Sequence, residues 1–182
     1  MNIIVAITGA SGAIYARQAL EILSSHPDIE QIALVRSDNA ESVIAAECVE
    51  LPHHERITHY ANDDMWSSLA SGSARWDAMI IVPASMGTVG RIASGVSRTL
   101  LERAADVMLK ERRRLVVVVR ESPYSLIHLR NMTALTETGA IILPASPSFY
   151  FNPQTIEELC LTTSLRALEL AGVEVLHRQW GE

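Results

Sequence analysis

The sequence predicts an α/β protein, a doubly wound and mostly parallel sheet in a three-layer sandwich of Rossmann-like or flavodoxin-like type. Three observations carry that expectation. Short, almost continuously apolar runs alternate with longer amphipathic stretches, which is the rhythm of βαβ units. The runs lack the in–out alternation of half-exposed strands, as suits parallel strands covered on both faces. The first run ends in a glycine turn that leads straight into a helical pattern. At 182 residues, with 48% hydrophobic and 20% charged residues, the chain suits one globular domain over 1–182 with a full core.

The elements follow in order. Asn2–Ile7 is the first strand. Thr8-Gly9-Ala10-Ser11-Gly12 turns the chain into a helix over Ser11–Leu23, whose first amides are expected to face an anion. Gln31–Arg36 is the second strand, and Ser37-Asp38 reads as a cap on a helix over Asp38–Glu47. The segment from Leu51 to Trp76 is polar, with His53, His54, His59, Asn62, Asp63 and Asp64, and is expected to be a loop with one short helix. Ala78–Val82 is the third strand. It ends in Pro83-Ala84-Ser85-Met86-Gly87-Thr88, a second hydroxyl–glycine turn before a helix over Thr88–Ala93. A longer helix covers Arg98–Glu111, and Leu115–Val119 is a strand that stops at Arg120-Glu121. Ser125–Glu137 is helical, Ala140–Leu143 is the last strand, and Thr155 with Glu158 forms a capping box opening the helix Ile156–Ala171.

Charge is unevenly placed. The net charge is −6, yet Arg91, Arg98, Arg103, Lys110, Arg112, Arg113, Arg114, Arg120 and Arg130 are nine of the fifteen basic residues, and Lys110 is the sole lysine. An acidic chain lacks the broad basic face of a nucleic-acid binder. No apolar run reaches the length of a membrane span. The two cysteines, Cys48 and Cys160, have no metal or redox spacing and read as core thiols in a reducing compartment, so the expected setting is cytoplasmic. The spacing of His53, His54 and His59 fits no zinc pattern, and no metal is expected.

Charges at the carboxyl end of a strand in such a sheet face a ligand crevice, and a cationic cluster there points to an anion, phosphate first. Arg103 and Lys110 lie two helical turns apart on one face with Asp106 between them, while Arg112 to Arg114 read as solvated. Only Gly9 and Gly12 of a dinucleotide fingerprint are present, so a mononucleotide such as FMN fits better than NAD. Phe149 and Phe151, in a proline-fixed loop, read as packing residues, while Tyr150 and Arg166 have the chemistry to grip a phosphate. His128 reads as a packed or hydrogen-bonded histidine rather than a catalytic base, and Trp66 and Trp76 are either pocket or packing residues.

TGASG, Ser37, Glu47, PASMGT, ERAADVMLKERR, VVVVRESPYSLIHLRNM and PSFYFNPQTIEEL together resemble, in order and spacing, the UbiX-like flavin prenyltransferases. The resemblance covers nearly the whole chain and is weakest from Leu51 to Asp64. It implies transfer of a dimethylallyl group from dimethylallyl phosphate to reduced FMN, with a fourth ring formed on the flavin. The prenylated product serves a UbiD-type decarboxylase, no metal is needed, and the assembly is a homo-oligomer, commonly a dodecamer with sites at subunit junctions. The resemblance places flavin contacts at Gly9, Ala10, Ser11, Ser37, Ser85, Met86, Gly87, Thr88 and Arg120, with Arg103 close by. It places prenyl-phosphate contacts at Lys110, Arg120, Tyr150 and Arg166, and catalytic roles at Glu121, Glu47, Lys110 and Ser11. The chain departs at Ala84, where many members carry cysteine, at Phe151, where histidine is common, and in its short tail after Trp180. A flavin-dependent cysteine decarboxylase is the rival enzyme, a non-catalytic FMN carrier the rival binding module, and an NAD-linked oxidoreductase is disfavoured by the missing third glycine.

Overall fold

A computed structural model describes residues 1–176. The elements run β1 (Asn2–Ile7), α1 (Ala13–Ser25), β2 (Gln31–Arg36), α2 (Ala40–Ala46), β3 (Ile57–Tyr60), a single 3-10 turn (Ser68–Ala70), β4 (Ala78–Ala84), α3 (Met86–Ala93), α4 (Leu100–Lys110), β5 (Arg114–Val119), α5 (Leu126–Glu137), β6 (Ile141–Pro144) and α6 (Ile156–Leu170). Six strands form one sheet in the order β3-β2-β1-β4-β5-β6, and every pairing is parallel. The order reverses between β1 and β4, which opens a crevice at their carboxyl ends.

Alternation along each strand builds two cores. Ile3, Val5 and Ile7 of β1 face α1 and α6, meeting Ala16, Ala19, Leu20, Leu23, Ala167 and Leu168. Ile4 and Ala6, with Met79 and Ile81 of β4, face α3 and α4, meeting Val89, Ile92, Leu101, Ala104 and Met108. Leu20 and Leu23 are fully buried, and each contributes about 1.5–3 kcal/mol by leaving water. The cost of continuous apolar strands is thus met from both sides, and this holds the crevice's walls in place.

Several expectations need correction. A sixth strand, β3, lies in the segment expected to be a loop. It pairs with β2 from Ile32↔Ile57 to Val35↔Tyr60. As an edge strand it carries exposed Thr58 and His59, and polar edges give no apolar run to detect. Helix α1 begins two residues after Ser11, because Gly12 stands at φ 114 as its cap. Neither Ser37 nor Asp38 caps α2: the cap position is Asn39 and no side-chain bond is made there. The capping box at α6 is half formed. Thr155 accepts from the Glu158 amide, but Glu158 accepts from the Gln154 amide instead. Arg113 and Arg114 are not merely solvated, since Arg113 donates to the carbonyls of Gly72 and Ala74 and Arg114 to that of Ala171. Cys160 is a buried thiol, whereas Cys48 is exposed. The tail around Trp180 lies outside the described residues.

Candidate active site

The crevice is built from strand ends stitched to one another. The Thr8 hydroxyl donates to the Pro83 carbonyl at 2.8 Å and accepts from the Ser85 amide at 2.8 Å. One buried threonine therefore fixes the β1 turn against the β4 turn. The Ser37 amide donates to the Ile7 carbonyl, and the Arg120 amide to that of Ala84. Each loop so leaves its strand in register with the neighbour. Gly9 is obligatory here, since a Cβ on it would stand 2.6 Å from the Asn39 Cβ.

The α1 amides are not open to a ligand anion, contrary to the sequence expectation. The Glu47 carboxylate accepts from the Gly12 amide at 2.9 and 3.1 Å and from the Ala13 amide at 2.7 Å. Burial works against its ionisation, but the Ser11 hydroxyl, these amides and the Arg120 charge outweigh that and hold it below the usual carboxylate range. Ser11, Glu47 and Arg120 are therefore neighbours. Arg120 also acts on Tyr15, whose hydroxyl burial pushes up to about 12, with the neighbouring Cys160 and Glu47 adding to the rise and Arg120 opposing it.

On the other side of the β1 turn lies a cavity of about 280 Å³, lined by Gly9, Ser37, Asn39, Asn62, Ser85, Gly87, Thr88, Arg91, Thr99 and Glu102, among others. Ser85 caps α3 by accepting from the Thr88 amide, and its hydroxyl lies 3.1 Å from that of Thr88. Arg91 donates to the Thr88 hydroxyl at 3.2 Å and forms an ion pair with Glu102. Glu102 is 2% exposed and also accepts from the Arg98 and Thr99 amides. Opposed by burial, the Arg91 hydrogen bond and charge and these two amides still keep its carboxyl below the usual range. Sequence reasoning missed Asn62, Arg91, Thr99 and Glu102. The Thr99–Glu102 spacing of a capping box, which the structure forms, was the available signal.

The remaining predicted residues divide. Glu121 follows β5 beside Arg120, exposed, its carboxylate accepting from the Ser122 amide. Met86 and Ala10 are buried in the two turns. Tyr150 lies in the loop after β6 and is 72% exposed, as is Phe149, so Phe149 is not a packing residue within this chain. Arg103 is turned away from the cavity, onto the Ala70 carbonyl and Asp106. Lys110 ends α4, four residues before Arg114 opens β5, and pairs with Glu111. It therefore stands at the amino edge of the sheet, opposite the crevice. Arg166 pairs with Glu169 about 13 Å down α6 from Glu157. One chain does not bring these three cations to the turns.

Trp76 is buried, edge-on to Tyr60, whereas Trp66 is 98% exposed. His128 accepts from the Ser125 amide within the α5 cap. Among the described residues, no group of three or more His, Cys, Asp or Glu could hold a metal ion, and no helix is long and apolar enough to cross a membrane.

The flavoprotein family's sequence model matches residues 1–166. The chain is 46% identical over 176 residues to flavin prenyltransferase UbiX of Thermoplasma acidophilum, covering 95% of this chain and 96% of that one. It superposes with TM-score 0.85 and 40% identity on AnUbiX (PadA1), solved in complex with FMN and dimethylallyl pyrophosphate, over 98% of each chain. It superposes with TM-score 0.91 and 37% identity on a dodecameric FMN-dependent UbiX-like decarboxylase from Escherichia coli O157:H7, over 100% of each.

Proposed function

Because the chain belongs to the flavoprotein family and, within it, to the UbiX-type flavin prenyltransferases, we propose that it joins a dimethylallyl group from a dimethylallyl phosphate to reduced FMN. The product is handed to a UbiD-type decarboxylase. The observation that carries this reading is the β1–β4 crevice, with its polar cavity on one side and the Ser11–Glu47–Arg120 group on the other. The donor set suits FMN. Hydroxyls of Ser37, Ser85 and Thr88, the Asn62 amide and the Arg91 guanidinium match a polyol ending in phosphate. When bound, the reduced flavin supplies the electron-rich ring that receives the allyl group.

The chain's own residues do the rest. Gly9, Ala10, Ser11, Ser37, Ser85, Met86, Gly87, Thr88 and Arg120 seat the flavin. Arg120, Lys110, Arg166 and the Tyr150 hydroxyl hold the phosphate as charge develops on the departing oxygen, fixed dipoles and charges being most effective where they need not reorganise. Glu121 moves the proton lost as the new ring closes. Glu47, held ionised, orients the Ser11 hydroxyl. Lys110 and Arg166 reach the phosphate from further copies of the chain, which the remoteness of both from the crevice supports. The working form is accordingly a homo-oligomer, as in the dodecameric E. coli protein, with residues 1–182 acting as one flavin-binding domain. Two free thiols suit a cytoplasmic setting.

The test is anaerobic incubation with reduced FMN and dimethylallyl monophosphate, followed by mass analysis of the released flavin. A flavin heavier by one prenyl unit is expected. An unchanged mass with FMN still bound would identify a carrier instead.

A further inference from the structure

Glu102 is the one charged side chain among the fully buried described residues. Capping α4 does not require that burial, because an exposed glutamate three residues after Thr99 closes the same box. Pairing this buried carboxylate with the half-exposed Arg91 is a weak source of stability, since desolvation of the carboxylate and solvent screening at the guanidinium offset the attraction. The pair is better explained by what it holds. Arg91 is anchored at Nε by Glu102, and its Nη2 donates to the Thr88 hydroxyl. Two anchors fix a planar guanidinium. Its Nη1 lies over Gly87, where an added Cβ would be 3.3 Å away, and has no acceptor among the described residues.

The donor directions then follow. Arginine only donates, so the Thr88 oxygen accepts from Arg91 and its own proton must point elsewhere. The oxygen within reach is that of Ser85, at 3.1 Å. Ser85 thus accepts from both the amide and the hydroxyl of Thr88. Its own proton is left to donate into the cavity that Ser85, Thr88 and Arg91 all line.

We propose that Glu102 is a positioning residue for the flavin seat: acting through Arg91 and Thr88, it sets the Ser85 hydroxyl as a donor to an acceptor oxygen of the flavin. This rests on the flavin-binding reading of the crevice. Glu102→Gln keeps the side chain's shape but turns an N–H toward Arg91 or toward the Arg98 and Thr99 amides. FMN affinity, read by quenching of flavin fluorescence, should fall about tenfold, the upper end of what one hydrogen bond is worth. The KM for dimethylallyl monophosphate should stay within about twofold, because that substrate is gripped elsewhere. In a Thr88→Val background, where the relay is already cut, adding Glu102→Gln should cost no further FMN affinity. Unchanged FMN affinity in folded Glu102→Gln protein, or losses that multiply in the double variant, would overturn the inference. If Glu102→Gln does not fold, Arg91→Lys carries the test, since an ammonium cannot span Glu102 and Thr88 together. Wild-type FMN affinity in that variant equally overturns the inference. A wild-type protein that binds no FMN would instead sink the flavin reading itself.

Discussion

Replacing Glu47 by Gln isolates the unforeseen bond that closes the α1 end of the site. The carboxylate serves two amides, those of Gly12 and Ala13, at the first turn of α1. A glutamine keeps one acceptor oxygen and presents an N–H where the second amide needs a partner. Losing a side-chain cap costs about 0.5–2 kcal/mol, and losing a negative charge at a helix start costs about 0.3–1 kcal/mol more. Glu47 is only half-buried, so solvent screening pulls the total toward about 1–2 kcal/mol. For a chain of this length that is a fall in Tm of about 2–8 °C. The assay is urea unfolding of flavin-free wild-type and Glu47→Gln protein at one fixed concentration, because assembly adds its own concentration dependence. The pH dependence has a definite sign. The folded carboxyl lies below its ordinary value of 4.5, so its contribution is fully present above that value and is lost as pH falls through the folded pKa. The gap between the two proteins should therefore be constant near neutrality and close below about pH 4.5. Equal stability at pH 7, or a gap that does not narrow as the pH falls further and further below 4.5, would refute the reasoning.

Three further outcomes are expected. Thr8→Val should destabilise the flavin-free protein by about 1–3 kcal/mol in the same assay, because it leaves the half-buried Ser85 amide without its partner and takes from the Pro83 carbonyl one of its two donors, the other being the Thr8 amide. Glu121→Gln should bind FMN like wild type in a fluorescence titration, yet form prenylated flavin about 10²–10⁴ times more slowly, as loss of a proton carrier requires. Arg166→Ala should raise the KM for dimethylallyl phosphate while leaving the Kd for FMN unchanged, since Arg166 is assigned to the prenyl phosphate and not to the phosphate of FMN; steady-state kinetics beside the same titration separates the two.

What the sequence made legible was local. The two hydroxyl–glycine turns, the apolar strands and the order of the helices all depend on neighbours a few residues apart, and each was found within a residue or two. What it hid was contact at distance. Glu47 meets Gly12 across 35 residues, and no periodicity announces such a bond. β3 was hidden because an edge strand of four residues needs only backbone pairing and two inward side chains. Lys110 was a different case. The motif around it is distinctive, but a helix that leaves the carboxyl edge of one strand to feed the amino edge of the next must end at the far side. Topology alone therefore sends Lys110 away from the turns of its own chain, and the helix assignment already contained that fact.

The placement of Lys110 has a practical consequence. It offers the single ε-amino group of the polypeptide, and its side chain is 44% accessible beside Glu111. Amine-directed acylation thus has one internal target per molecule, apart from the α-amino group. The extent of labelling at that atom, followed with and without dilution, becomes a direct gauge of whether neighbouring molecules cover it, obtained without altering a residue.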